Sequence, residues 1–259
     1  VSWLVDGDDA PAWKRRAGLV GAQGGFLHFG AARGKRFVEA GEGGEAERSM
    51  SVIPFNPLDK RNLARSVINA MMRGSAAPLK DLQPFDGAGI YAIYYTGDFE
   101  AYEALSEANS GDALIVPIYV GKAVPSGGRK GGMIEAEHGQ ALFKRLSEHR
   151  KSIEAAKNLD MEDFFCRYLV VDDIWIPLGE ALLISKTSPV WNSILDGFGN
   201  HDPGAGRRAG KISRWDVLHP GRPWVASSAS REETPEQLAT EIREYLENQK
   251  PFVDPTEQF

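Results

Sequence analysis

Apolar and polar positions alternate along this chain in patterns that predict a mixed helix and strand architecture. From residue 59 to 73, Leu63, Val67, Ile68, Met71 and Met72 recur at helical spacing, with Asp59 placed to cap the helix and Gly74 to stop it. Residues 90–95 and 115–120 are rich in Ile, Val and Tyr and read as strands ended by Gly97 and Gly121. They are expected to pair as a hairpin. Its long connection, 98–112, carries five acidic residues without one Lys or Arg and reads as partly helical. A long helical pattern follows from about residue 134 to 156, with Ala141, Leu142, Leu146 and Ile153 near one face. Then come a strand over 164–171 and a helix from about 176 to 186. The tail predicts an amphipathic helix in which Thr234 caps, Pro235 occupies the first turn, and Leu238, Ile242, Tyr245 and Leu246 line one face. That face is expected to pack, or else to form a dimer contact.

Composition narrows the setting. The chain has 259 residues, 42% of them hydrophobic and 25% charged, which suits one globular domain with extensions. Residues 1–49, rich in Gly, Ala, Arg and Glu, show no sustained period and are expected to be a non-native or disordered leader, with translation starting at Met50. The longest apolar run, 113–120, falls far short of the roughly 20 residues of a membrane span. Cys166 is the one cysteine, so an intrachain disulfide and a zinc cluster are both excluded; it reads as a buried, inert thiol. A cytoplasmic setting is expected.

The net charge of −6 argues against a general nucleic-acid binder, but the charge is uneven. Lys and Arg number 5 against 8 Asp and Glu in residues 50–119, 15 against 13 in residues 120–225, and 3 against 8 in residues 226–259. The one net positive block also holds most of the candidate chemistry. Arg145 and His149, four apart on a predicted helix, project from the same side and can meet one ligand. Arg145 offers a forked guanidinium to a phosphate, and His149 can relay a proton near neutral pH. Glu180, the single acidic residue of its helix, is a hard oxygen ligand suited to a one-metal Mg²⁺ site. Tyr91 can take a proton from water only where nearby cations favour its phenolate, and Lys122, at the end of the second strand, is the expected source of that charge. Asn192 is expected to brace the metal side rather than react. Together these groups supply what phosphodiester hydrolysis requires. Taken singly, each has a commoner reading as a strand tyrosine or a solvated helix face. Their joint order is what argues for a site. The glycine run at 127–132 lacks the Lys-Ser/Thr ending of a phosphate-binding loop and reads as flexible.

Gly89-Ile90-Tyr91 and Tyr119-Val120-Gly121, followed in order by Arg145, His149, Glu180 and Asn192, resemble the GIY-YIG nuclease superfamily, with Val120 standing where the second name motif has Ile. The resemblance implies an α+β fold: a small three-stranded antiparallel sheet flanked by helices. The nuclease core would span 87–195, between an N-terminal helical extension over 50–86 and a C-terminal extension over 196–259. It also implies a single divalent metal on Glu180, Mg²⁺ or Mn²⁺ in its place, and Tyr91 or Tyr119 as proton acceptor. Longer strings, Tyr94-Tyr95-Thr96-Gly97, residues 117–125, 196–207 and 215–224, are similar to the GIY-YIG type II restriction endonucleases that cut CCGCGG. Such enzymes work as homodimers on double-stranded DNA beside a protecting methyltransferase. Arg207, Arg208, Lys211 and Arg214 cluster in a polar segment and are the expected DNA contacts. The alternatives are a repair or mobile-element nuclease, or a DNA-binding protein that retains the fold without cleaving.

Overall fold

Seven consecutive residues, Gly89–Tyr95, form the central strand β2, and all seven are buried. A strand covered on both faces reads as a continuous apolar run rather than an alternation, and Gly-Ile-Tyr-Ala-Ile-Tyr-Tyr is such a run. In this computed structural model, residues 56, 59–111, 114–125, 139–200 and 210–249 are described, all within one unit, Asn56–Phe259. The leader expected over 1–49 and the glycine run at 127–132 lie outside the described residues.

β2 pairs antiparallel on one side with β3 (Tyr119–Ala123) and on the other with β4 (Phe164–Val170). A two-residue strand β1 (Ala77–Pro78) adds to the far edge of β4, giving the order β1-β4-β2-β3. The sheet therefore has one strand more than the expected three; so short a segment, ending in Pro, has no period to read.

Side chains of β2 divide between two cores by strict alternation. Ile90, Ala92 and Tyr94 pack with α1 (Lys60–Met72) and α4 (Ile176–Thr187) through Ile68, Met71, Ile176 and Leu183. Tyr91, Ile93 and Tyr95 face α3 (Ala141–Ala155), α5 (Val190–Ser193), α6 (Arg214–Leu218) and α7 (Pro235–Asn248), where Leu146, Trp191, Trp215 and Ile242 fill the space. Helices α1 and α7 thus each supply part of one core. At α7 the expected cap forms as a reciprocal box, with the Thr234 hydroxyl taking the Gln237 N–H and the Gln237 side chain taking the Thr234 N–H.

The second strand of the hairpin begins later than its β-rich sequence predicts, at Tyr119 rather than 115. The connection contains a 3₁₀ turn, Glu100–Tyr102, and α2 (Glu103–Ala108), as its pattern suggested. Leu114 then adopts a left-handed φ of 38°. The buried amide of Asn109 donates to the carbonyls of Tyr95 (3.1 Å) and Val116 (2.8 Å) and accepts from the Val116 N–H (2.9 Å). Val116 is thereby satisfied off the ladder, and Pro117 has no N–H to give it. Asn109→Leu is expected to destabilise the protein by roughly 2 kcal/mol, because the Val116 groups lose their partners. Urea unfolding would register this as a lower midpoint with an unchanged slope.

Candidate active site

Glycine makes both name motifs possible through close approach. A Cβ on Gly89 would lie 2.0 Å from the Leu169 carbonyl oxygen of the adjacent strand. In the sheet register Tyr91 sits opposite Gly121, and a Cβ there would lie 2.4 Å from the Tyr91 Oη. The phenol of Tyr91 therefore lies across the space that the missing Gly121 side chain leaves. Tyr119, opposite Ile93, shares that face, with its ring centroid 6.3 Å from that of Tyr91.

His149 and Arg145 reach this face from α3, as their spacing predicted. The Tyr91 hydroxyl and His149 Nε2 are 2.6 Å apart, and both side chains are buried. Burial pushes the Tyr91 phenol well above its ordinary range; Tyr119 adds to the rise, the Arg145 guanidinium opposes it and Glu180 adds to it. Burial raises Tyr119 as well, again against Arg145. Burial thus outweighs the cation beside Tyr91, and the phenol keeps its proton next to the imidazole.

Lys122 also departs from expectation. It pairs with Ile90 in the register, so alternation directs it to the α4 side of the sheet, where its Nζ meets Glu180 Oε2 at 2.6 Å. The cation beside Tyr91 is Arg145. α4 comes close because its Gly179 has no side chain to collide with Val67 and Ile90. Asn192, on α5, binds both backbone groups of Val120, accepting from the N–H and donating to the carbonyl at 2.8 Å each. It fixes the edge of β3 between Tyr119 and Gly121. No cluster of three or more His, Cys, Asp or Glu side chains suited to a metal exists among the described residues. Glu180 alone, half-buried and already holding a cationic group, suits a hard divalent ion that keeps most of its water.

The family model described as the Eco29kI GIY-YIG domain matches residues 83–246, more than half of the chain. This chain belongs to that family. It therefore carries a GIY-YIG nuclease domain of the restriction-endonuclease type, whose substrate class is DNA. A comparison with curated proteins finds no match. No helix among the described residues is long and apolar enough to cross a membrane.

Around the GIY-YIG residues, further side chains close the site that spacing did not reveal. Phe198 stacks on His149 with centroids 4.5 Å apart and planes at 16°, and the Gly199 carbonyl accepts from Arg145 Nη2 at 2.8 Å. Arg145, His149, Phe198 and Trp224 contribute to the walls of a cleft of about 350 Å³. Of the nominated DNA contacts, Arg207 and Arg208 lie outside the described residues, and Lys211 is exposed. Arg214 is engaged within the protein, donating to the Ile194 carbonyl and forming ion pairs with Glu233 and Glu241. Cys166 is buried, as expected, with its thiol pushed up to about 12 by that burial.

The buried phenols give the domain a definite alkaline behaviour. Tyr91 and Tyr102 are raised by burial and Tyr95 is pushed up to about 12. Because the folded state holds these protons more tightly than the unfolded chain, their contribution is fully present below about pH 10 and declines as pH rises beyond it. Absorbance at 295 nm should show no Tyr91 phenolate at pH 10 when wild type is compared with Tyr91→Phe, and denaturation midpoints should fall above that pH.

Proposed function

We propose that the protein is a type II restriction endonuclease that hydrolyses both strands of a palindromic double-stranded DNA site, CCGCGG, acting as a homodimer in the cytoplasm beside a methyltransferase that protects the host sequence. The observation that carries the reading is the meeting of Tyr91, His149, Arg145 and Glu180 at one edge of the sheet, within a domain of the Eco29kI family. The target bases rest on resemblance alone.

The chemistry follows from these contacts. Arg145 is placed to meet the phosphate with its guanidinium already oriented, Nη2 by the Gly199 carbonyl and Nη1 by Glu148. As water attacks phosphorus, Tyr91 Oη accepts its proton and passes its own to His149 Nε2 across 2.6 Å, so a free phenolate is never required. This assigns the unprotonated nitrogen of the resting imidazole to Nε2. Mg²⁺ held at Glu180 would supply neutralisation of the charge developing on the phosphate and leaving oxygen. Asn192 keeps β3, and with it Tyr119, in register.

Purified protein incubated with phage DNA and Mg²⁺ should give discrete fragments whose sequenced ends fall within CCGCGG, and EDTA should prevent them. Discrete ends elsewhere would retain the nuclease and discard the target; scattered ends would favour a repair or mobile-element enzyme. Glu180→Gln and Tyr91→Phe should lower cleavage by at least about 100-fold while DNA binding survives. Binding without any wild-type cleavage would point to a non-cleaving protein. Charge reversal at Arg207 and Arg208 should weaken binding and reduce its dependence on salt, and an unchanged salt titration would remove both from the interface.

A further inference from the structure

One face of the His149 ring is covered by a segment that belongs to no regular element. Residues 196–200 leave the end of α5 and run over α3, and what they present to the catalytic side chains is specific. Phe198 lays its ring flat on the imidazole, and the Gly199 carbonyl takes a hydrogen bond from Arg145. A Cβ on Gly199 would lie 2.8 Å from the Tyr119 Oη and 3.2 Å from Arg145 Nη2, so the backbone itself is a wall of the site.

Arg222 holds this segment from behind. Its side chain is wholly buried, and Nη2 donates to the Gly197 carbonyl at 3.0 Å while Nη1 donates to those of Phe198 at 3.2 Å and Asn200 at 3.3 Å. The guanidinium is itself fixed. Nε and Nη2 form a forked pair with buried Asp216, whose other contact is the Ser213 hydroxyl, and Trp215 and Trp224 lie at 4.6 and 4.8 Å from its central carbon. Gly197 allows the entry, since its φ of 101° is left-handed and a Cβ there would meet Ser213 at 2.1 Å.

We infer that Arg222 is a positioning residue for the catalytic pair: by clamping the carbonyls of residues 197, 198 and 200 it sets Phe198 against His149 and Gly199 against Arg145. A planar fork with five donors can hold a carboxylate and several carbonyls at once, which an ammonium cannot reproduce. The kinetic consequence rests on the nuclease reading above; the structural one does not.

The test uses Arg222→Lys, which preserves the charge beside Asp216 and removes the fork. Side-chain ¹H–¹⁵N spectra of the histidines, with His149 assigned through His149→Gln, report the stacking directly, since a facing phenyl ring shields the imidazole protons. In a folded Arg222→Lys protein these protons should move downfield. On DNA, kcat should fall roughly 10- to 100-fold with KM little changed, and the pH–rate profile should shift, as misplaced catalytic groups lose rate more than binding. An unmoved His149 spectrum in the folded variant overturns the inference. If the wild type cuts no DNA, the nuclease reading fails and the spectra alone decide the clamp. Should Arg222→Lys not fold, Phe198→Leu decides instead: unaltered kcat, pH–rate profile and His149 nitrogen shifts in that variant also overturn it.

Discussion

All seven residues of β2 are buried, so the strand has no face for solvent and every polar atom on it must find a partner inside the protein. Its three tyrosines meet that demand differently. Tyr95 accepts from the Phe99 N–H and ties down the start of the acidic connection. Tyr94 points to the other face, against Met72 and under the Arg167 guanidinium. Tyr91 finds an imidazole. The same constraint that makes the strand a good core therefore produces a short contact between a buried phenol and a buried imidazole.

Assembly of the site depends on which side of the sheet each group approaches. Arg145 and His149 descend from α3 on the face of Tyr91, whereas Glu180 comes from α4 on the face of Ile90. They meet because β3 is an edge strand, around which both layers can reach. Precise placement of that edge then matters, and Asn192 supplies it by replacing the missing ladder partner at Val120 with its side-chain amide. The buried Arg222–Asp216 pair has a comparable place behind the 196–200 segment. Removing either member would leave an uncompensated charge in the core, a loss of about 3–5 kcal/mol.

Local patterns made much of this legible. The helical spacing of α1, α4 and α7, the acidic connection with its short helix, and the Arg145–His149 pair all follow from contacts within a few residues, and each stands where its pattern put it. The departures share one cause. β1 exists only because β4 offers it an edge; β3 starts at Tyr119 because Asn109 satisfies Val116; Lys122 meets Glu180 because alternation turns it from Tyr91. Each depends on a partner 7 to 89 positions away, as in the Val116 and Cys166 contacts, and nothing in a local pattern names that partner. Phe198 and Arg222 were hidden in the same way: both lie in strings that carry the resemblance, but their partners, His149 and the carbonyls of residues 197, 198 and 200, are named by no local pattern.

The charges of the site bear on the proposed divalent cation. Arg145 pairs with Glu148 at 3.1 Å and Lys122 with Glu180 at 2.6 Å, so the two ion pairs cancel. A phosphodiester entering beside them adds a negative charge, and withdrawal of a proton from the Tyr91 side of the site is opposed by burial before any substrate arrives. Two like charges 4 Å apart repel by about 4 kcal/mol at the effective dielectric of a protein surface, enough to slow a reaction by roughly a thousandfold if left uncompensated. Lys122 cannot add to that compensation without abandoning Glu180. An ion of charge two at Glu180 would supply it and would free Lys122 as a further cation. The Lys122–Glu180 pair thus holds the carboxylate in place at the edge of the sheet.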